Sequence, residues 1–181
     1  MYGLVNRGVE ELVCSNFGDE TWQQIKEKAQ IEDELFISME QYDDNVTYAL
    51  VEAASEVLEL PPETILETFG RYWILYTGKE GYGHLLNTAG NTFEGFLGHL
   101  DQMHTRVSLI YPNLQPPSFR CTNITAQGLH LHYYSHRAGL AHLVIGLLQG
   151  LGELFETAVE VTHIQRCVDG ADHDIFQLCY P

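Results

Sequence analysis

The hydrophobic pattern of this chain changes its period once, at Pro116-Pro117. Before that pair, apolar residues recur every three or four positions, which is the spacing of an amphipathic helix. After it, apolar and polar residues alternate, which is typical of a half-buried strand. The change divides the sequence into a helical part and a sheet-forming part. The helical spacing predicts helices over residues 4–13, 21–29, 47–60, 62–76 and 92–111.

The second part predicts four strands and one buried helix. The helix covers residues 140–155, and the strands cover 119–125, 129–134, 159–163 and 175–180. Helices followed by strand, strand, helix, strand and strand predict an α+β fold with a four-stranded antiparallel sheet. A length of 181 residues is typical of one domain, so we expect residues 1–181 to form a single domain.

The charge of the chain excludes some classes of partner. Nine Lys and Arg against 25 Asp and Glu give a net charge of −16. Nucleic-acid phosphates require basic patches, and anionic membrane surfaces also attract basic proteins. We therefore expect neither nucleic-acid binding nor membrane association.

Targeting signals are also missing from the sequence. The chain reaches Glu10 and Glu11 before an apolar signal core could form, and the apolar stretch 140–155 is shorter than the roughly 20 residues that span a bilayer. The four cysteines form no C-x-x-C pair. We therefore expect a cytoplasmic protein with reduced thiols.

One of the nine histidines lies on an apolar helix face. On a helical wheel of the 92–111 segment, the apolar stripe is centred on Leu100, and His104 falls about 40° from that centre. His99 falls at the edge of the stripe. A buried imidazole needs partners for both ring nitrogens, so His104 is either a hydrogen-bonded core histidine or a ligand. No second ligand follows one turn later, which is compatible with a single axial ligand to a cofactor.

A polar trio occupies alternate residues of the second predicted strand and its continuation. Tyr133, Ser135 and Arg137 alternate in the sequence, and a period of two places them on one face of a strand. Two hydroxyl groups and a guanidinium at one place suit a carboxylate or phosphate of a ligand. The alternative is a solvated strand end.

These residues together resemble the H-NOX family, the haem–nitric oxide/oxygen binding domains. The family pattern is H-x12-P followed by Y-x-S-x-R; twelve residues separate His104 from Pro117, and Tyr133, Ser135 and Arg137 complete the second part. The resemblance covers the whole chain. Segments 1–6 and 170–173 are also similar to this family, and segments 42–47, 53–58 and 111–121 are similar to the haem domain of animal soluble guanylate cyclase and its cyanobacterial relatives.

The resemblance implies a cofactor and a set of roles. The cofactor is haem b, with His104 as the proximal iron ligand. Tyr133, Ser135 and Arg137 would bind the haem propionates, and Pro117 would press on the porphyrin and distort it. The implied fold is the H-NOX fold, and the implied function is sensing rather than catalysis.

The resemblance also implies a mechanism. Nitric oxide or carbon monoxide binds five-coordinate ferrous haem, and nitric oxide weakens the Fe–His104 bond so that the helix of His104 shifts. A separate protein reads that shift: a histidine kinase, a diguanylate cyclase or a guanylate cyclase.

Selectivity between gases depends on the distal pocket. Oxygen-binding members carry a distal tyrosine near the position of His142, and this chain has no tyrosine between Leu140 and Phe155. We therefore expect selectivity for nitric oxide over oxygen. The alternative is an oxygen sensor that uses His142 or Trp73 as a distal hydrogen-bond donor. Val5 and Leu143 complete the expected distal wall.

Some family members hold zinc with three Cys and one His in the last third of the domain. His163 and His173 lie near such positions, but Cys167 does not match the spacing of the zinc ligands, and Asp174 lies where a ligand Cys would be. We expect no zinc. Two other readings remain: a metal-dependent enzyme that uses the histidines, which lacks an H-E-x-x-H motif, and a cofactor-free interaction module in which His104 is structural.

Overall fold

The computed structural model describes residues 1–77 and 90–181. Four helices come first, and they pack their apolar faces together around Val9, Trp22, Ile25 and Leu50. The chain then forms two short helices, two strands, a long buried helix and two more strands. The helices are α1 Gly3–Phe17, α2 Asp19–Lys28, α3 Asp44–Leu58, α4 Pro62–Thr77, α5 Phe93–Gly98, α6 Leu100–Ile110 and α7 Ala141–Leu154. The strands are β1 Ser118–Thr125, β2 Gly128–Tyr134, β3 Glu160–Gln165 and β4 Asp174–Cys179, and a 3₁₀ turn covers Cys167–Asp169.

The sheet confirms the predicted α+β architecture. Its strand order is β1-β2-β4-β3, and each neighbouring pair is antiparallel. The predicted alternation in β2 is also correct: Leu129, Leu131 and Tyr133 are buried, whereas His130 and His132 lie on the other face. The buried face packs against α7 through Val144 and Leu148.

The predicted continuous helix over 92–111 is wrong, because α5 ends at Gly98 and α6 begins at Leu100. His99 separates them with φ −114° and ψ 10°. Its Nδ1 lies 2.6 Å from the carbonyl oxygen of Gly95, so the side chain competes with the backbone for helical hydrogen bonds. Two glycines, Gly95 and Gly98, also weaken the helix here.

Helices α4 and α7 approach until their backbones touch. A Cβ placed on Gly146 would lie 2.0 Å from the carbonyl oxygen of Glu67, and one on Gly70 would lie 2.2 Å from that of Leu143. Both positions therefore require glycine for steric reasons. The close approach matters for function because these two helices also form part of the cavity described below.

Within the described parts of the chain, no helix combines the length and the apolar character needed to cross a membrane.

A chain of hydrogen-bonded side chains covers the face of the sheet away from α7. Thr122 Oγ1 lies 2.8 Å from His132 Nε2, His132 Nδ1 lies 2.8 Å from His173 Nε2, and His173 Nδ1 lies 2.6 Å from Asp172 Oδ1. All of these contacts are hydrogen bonds when both imidazoles are neutral, because each ring then donates one N–H and accepts one hydrogen bond at its other nitrogen. Burial lowers the pKa of His132 below 6.5, and the neighbouring His173 lowers that pKa further.

This arrangement predicts that the protein loses stability as the pH falls. Because the pKa of His132 is lower in the folded protein, the unfolded chain binds more protons below 6.5. The free energy of unfolding should therefore decrease between about pH 7 and about pH 5.5, as measured by urea denaturation. His132→Gln should flatten that decrease, whereas His136→Gln, at an exposed position, should leave it unchanged. An unchanged slope in His132→Gln would contradict this role.

Candidate functional site

A largely apolar cavity of about 720 Å³ lies between the helical part and the sheet. That volume falls within the roughly 300–1,000 Å³ typical of small-molecule and cofactor sites. Its walls include residues of α1, α4, α5, α6, α7, β1 and β2 and of the segments 41–44 and 111–117. Apolar side chains that line it include Val5, Phe69, Trp73, Met103, Leu143 and Leu147.

His104 enters this cavity from α6. Its Nδ1 atom is buried and has no hydrogen-bond partner among the described residues. The ring stacks on Phe119 with centroids 5.8 Å apart and planes inclined by 19°. Burial lowers the pKa of His104, and the nearby Asp101 carboxylate only partly opposes that effect. The imidazole is therefore neutral and held in one orientation, and a neutral imidazole is able to bind a metal ion.

Asp101 fixes the position of the His104 helix on the sheet. Asp101 lies one turn before His104 in α6, and its Oδ1 accepts a hydrogen bond of 2.8 Å from the Phe119 backbone N–H. Its Oδ2 accepts a second one, of 3.0 Å, from the Ser118 hydroxyl. Helix α6 and the start of β1 are thus joined immediately beside the ring on which His104 stacks.

Removing this link should destabilise the protein measurably. We expect Asp101→Ala to lower the free energy of unfolding by about 1–2 kcal/mol, because two charge-assisted hydrogen bonds at an exposed position are lost. Chemical denaturation measures the difference. Gln102→Ala, at the neighbouring exposed position of the same helix, serves as the control and should change stability by less than about 0.5 kcal/mol. Equal effects of the two substitutions would contradict the role of Asp101.

The predicted polar trio also lines the cavity, but not as residues of one strand. Strand β2 ends at Tyr134, so Ser135 and Arg137 belong to the segment that follows it. Ser135 Oγ accepts a hydrogen bond of 3.0 Å from the Arg137 backbone N–H, which turns the chain. That turn brings Tyr133, Ser135 and Arg137 to the same cavity. Burial raises the pKa of Tyr133, whose hydroxyl therefore stays protonated and able to donate.

Arg137 binds a partner that the sequence did not indicate. Its Nε donates to Asp44 Oδ2 at 2.7 Å, and its Nη1 donates to the carbonyl oxygen of Gln115 at 2.8 Å. The Met1 ammonium group also contacts Asp44 at 2.5 Å. Burial alone would raise the pKa of Asp44, but the hydrogen bonds from Met1 and Arg137 outweigh it, so the pKa is lowered. A carboxylate ligand would share Arg137 with Asp44, using the remaining guanidinium N–H groups.

No sequence signal pointed to Asp44, which lies 93 positions from Arg137. Only its place at the start of α3 marks it, and that place suits any acidic residue because of the helix dipole. The sequence also contained no indication of the role of Asp101, because on the helical wheel this residue lies outside the apolar stripe.

The expected distal residues divide into two groups. Val5, Trp73 and Leu143 line the cavity, as does Pro117. His142 is absent from the lining: its Nδ1 lies 2.7 Å from Glu67 Oε1 on α4. The hypothesis that His142 donates into the distal pocket is therefore corrected, because its imidazole pairs with a carboxylate outside the cavity.

The region expected to lack zinc contains a tight histidine–carboxylate pair. His163 Nε2 lies 2.8 Å from Asp174 Oδ1, and the imidazole stacks on Phe176. In residues 1–77 and 90–181, no three His, Cys, Asp or Glu side chains are placed to hold one metal ion. The expected absence of zinc stays a prediction.

In the part of the chain that the structure describes, the cavity has the size and apolar character of a cofactor site and one histidine, His104, in its lining. A family model described as haem-NO-binding matches residues 2–163. The chain therefore belongs to the haem-NO-binding family, also called H-NOX, and is a haem-binding gas-sensor domain rather than a catalytic one.

Solved structures agree with this fold. An H-NOX protein from Shewanella oneidensis in the Fe(II)NO state superposes with a TM-score of 0.90 at 21% identity, covering 100% of this chain and 99% of that one. The H-NOX from Shewanella woodyi in the Fe(II)CO state superposes with a TM-score of 0.82 at 27% identity and covers 100% of this chain and 95% of that one.

Curated relatives are much longer proteins. Soluble guanylate cyclase gcy-33 of Caenorhabditis elegans is 34% identical over 155 residues, covering 86% of this chain but 16% of the relative. Guanylate cyclase soluble subunit beta-2 of Rattus norvegicus is 35% identical over 101 residues, covering 55% of this chain and 15% of the relative. The chain thus spans less than a quarter of the length of either relative.

The residues present fit a haem group. The cavity is largely apolar, as a porphyrin needs, the neutral imidazole of His104 lines it, and the hydroxyl and guanidinium groups of Tyr133, Ser135 and Arg137 also line it. This chemistry is what an iron porphyrin with two carboxylates requires.

Proposed function

We propose that this chain senses nitric oxide and carbon monoxide through haem b held in the cavity. His104 would be the sole protein ligand of the iron, with Tyr133, Ser135 and Arg137 at the propionates and Pro117 against the porphyrin. The observation that carries this proposal is that the imidazole of His104, whose buried Nδ1 has no hydrogen-bond partner among the described residues, lines a cavity built of apolar side chains. Bound haem would supply an iron centre that takes up a diatomic gas.

The protein's own contribution is to hold His104 in place. Its ring stacks on Phe119, and Phe119 contacts Tyr133 with ring centroids 5.4 Å apart. Asp101 ties the same helix to β1 through the Phe119 backbone. When the imidazole is engaged by a ligand, α6 is restrained at Asp101 and at His104. When it is released, α6 loses the restraint at His104 and keeps those of Asp101 and of packing, so the helix is less constrained.

We further propose that the domain selects nitric oxide over oxygen. An oxygen-binding pocket needs a hydrogen-bond donor near the gas, whereas nitric oxide does not depend on one. The sequence of α7 has no tyrosine, and His142 pairs with Glu67 outside the cavity. Trp73 lines the cavity and keeps an oxygen sensor as the second candidate, with its indole N–H as the donor.

Absorption spectra of the ferrous protein test both proposals. We expect a Soret band whose position changes with carbon monoxide and with nitric oxide, and no stable oxygen complex in air. A stable oxygen complex that disappears in Trp73→Phe, but not in His142→Leu, would favour the oxygen sensor. A purified protein that binds no haem after reconstitution would contradict the function itself.

The signal should pass to a separate protein. We propose that residues 1–181 act as one sensor domain and that the receiver is a signalling enzyme. The similarity to soluble guanylate cyclases favours a guanylate cyclase, with a histidine kinase or a diguanylate cyclase as other receivers of the same kind of signal.

A further inference from the structure

We propose that the segment 35–39 is the docking surface for that separate protein. The partner would bind this surface with an apolar ridge that is bordered by Lys and Arg. We call the exposed side chains Leu35, Ile37 and Met39 the docking strip. This inference rests on the proposed function, because a sensor that signals through a separate protein needs a surface for it.

The docking strip is apolar and faces outward at alternate positions. Leu35 is 65% exposed, Ile37 49% and Met39 53%, whereas Phe36 between them is only 2% exposed. The segment turns after Ile37, where the Glu40 backbone N–H donates to the carbonyl oxygen of Ile37 at 3.0 Å. The three exposed side chains thus lie within one short turn that the buried Phe36 anchors. Single exposed apolar residues are ordinary, but three together on one short segment are typical of a contact surface.

The strip is held in a fixed conformation by the helical part. The Leu4 backbone N–H donates to the carbonyl oxygen of Ser38 at 3.2 Å, and Arg7 Nη1 donates to the Ser38 hydroxyl at 2.8 Å. The Ile37 backbone N–H donates to the Tyr42 hydroxyl at 3.0 Å. Because the segment is already ordered, a partner would lose little free energy in ordering it on binding. This property is expected of a binding surface.

Charge around the strip identifies the chemistry of the partner. Residues 30–43 contain five carboxylates, Glu32, Asp33, Glu34, Glu40 and Asp43, and no Lys or Arg. Two basic side chains from other elements reach the segment, Arg7 at Ser38 and Lys26 at the carbonyl oxygen of Asp33, so the carboxylates there outnumber the cations. An apolar centre with an acidic border is complementary to an apolar face bordered by basic residues. A second copy of this chain meeting the same face would oppose two acidic borders, and anionic lipid would also be repelled.

The docking strip continues directly into the cavity wall. Gln41, Tyr42, Asp43 and Asp44 follow it and line the cavity. The Met1 ammonium group donates to the carbonyl oxygen of Tyr42 at 2.6 Å, and Asp44 holds Arg137. A carboxylate ligand that shares Arg137 with Asp44 is therefore linked to the segment that carries the strip. The position of the strip suits an output surface for this cavity.

The first experiment uses a designed amphipathic peptide as the probe, with Leu on one helical face and Lys and Arg at its borders. Binding to the full chain is measured by fluorescence anisotropy, and the contacted residues are located by hydrogen exchange. We expect protection centred on 35–39 and a Kd at least about tenfold weaker for the triple variant L35S/I37S/M39S. A peptide of the same composition without amphipathic order should bind much more weakly.

Matched variants separate the docking strip from general acidity. E32Q/D33N/E34Q should weaken peptide binding and reduce its salt dependence. The remote triple variant E156Q/E160Q/D172N has the same net charge and should leave both unchanged. Equal losses in the two charge variants, or an unaffected Kd in L35S/I37S/M39S, would overturn the proposal. Dimerisation of the wild-type chain that disappears in L35S/I37S/M39S would also overturn it.

A parallel measurement distinguishes this inference from the proposed function. The haem spectra with nitric oxide and carbon monoxide should be the same in L35S/I37S/M39S and in the wild type, because none of the three residues lines the cavity. Normal gas spectra without strip-dependent peptide binding would refute the docking strip alone. Absent haem binding with intact peptide binding would refute the sensor function alone.

Discussion

Replacing His104 with glycine should abolish stable haem binding or make it depend on added imidazole. His104 is the imidazole of the described chain that lines the cavity with a buried nitrogen lacking any partner. If it is the axial ligand, glycine removes the protein's bond to the iron and leaves a space that free imidazole can fill. Haem content after reconstitution and the Soret spectrum, each with and without imidazole, measure the effect.

His99→Gly is the matched control for this substitution. His99 lies at the junction of α5 and α6, outside the cavity lining, and its Nδ1 contacts the carbonyl oxygen of Gly95. Its removal should leave haem content and the spectrum unchanged. A cofactor-free module with a structural His104 predicts something different, namely that His104→Gly only lowers the stability of the protein. Full haem retention with an unchanged spectrum in His104→Gly would therefore rule out the ligand role.

The sequence predicted the parts of this fold that depend on local periodicity. Alternation along β2 correctly placed Leu131 and Tyr133 on the same face, which is the buried one, because a period of two maps directly onto the two faces of a sheet. The apolar run before Phe155 correctly predicted the buried helix α7. On the helical wheel, His104 fell inside the apolar stripe, and in the structure it lines the cavity.

Features that depend on tertiary contacts were outside the reach of periodicity. The break at His99 arises because its side chain competes for a backbone carbonyl oxygen. A helical wheel does not take side-chain hydrogen bonds into account. His142 turns to Glu67 on another helix, and Arg137 pairs with Asp44, 93 positions away. Each of these contacts joins elements that meet only after folding. A local sequence pattern can predict that a residue belongs to a site, but it does not predict which distant residue will contact it.

The contact between α4 and α7 shows how steric limits shape the site. Both helices contribute cavity residues, including Trp73 and Leu143. Their separation is set by glycine positions where a Cβ would overlap the opposite backbone, so it cannot relax by a change of rotamer. The dimensions of the cavity therefore depend on residues that do not touch its contents.

Gly146→Ala should accordingly be strongly destabilising. The added Cβ would lie 2.0 Å from the carbonyl oxygen of Glu67, a backbone atom that can move only with its helix. Forcing α4 and α7 apart should cost about 3 kcal/mol, the upper part of the range for overpacked cores. For a chain of this size that corresponds to a Tm lowered by roughly 6–12 °C, measured by thermal unfolding of the haem-free protein.

Gly98→Ala provides the comparison, because a Cβ at Gly98, the last residue of α5, meets no atom within 4 Å. It should leave the Tm unchanged or raise it, since alanine reduces the entropy of the unfolded chain by an amount worth about 0.4–1 kcal/mol. If the two substitutions had similar effects, the backbones of α4 and α7 would not be in contact. If Gly146→Ala alone lowers the Tm, its haem-bound spectrum should also differ from that of the wild type, because the displaced helices carry the cavity wall.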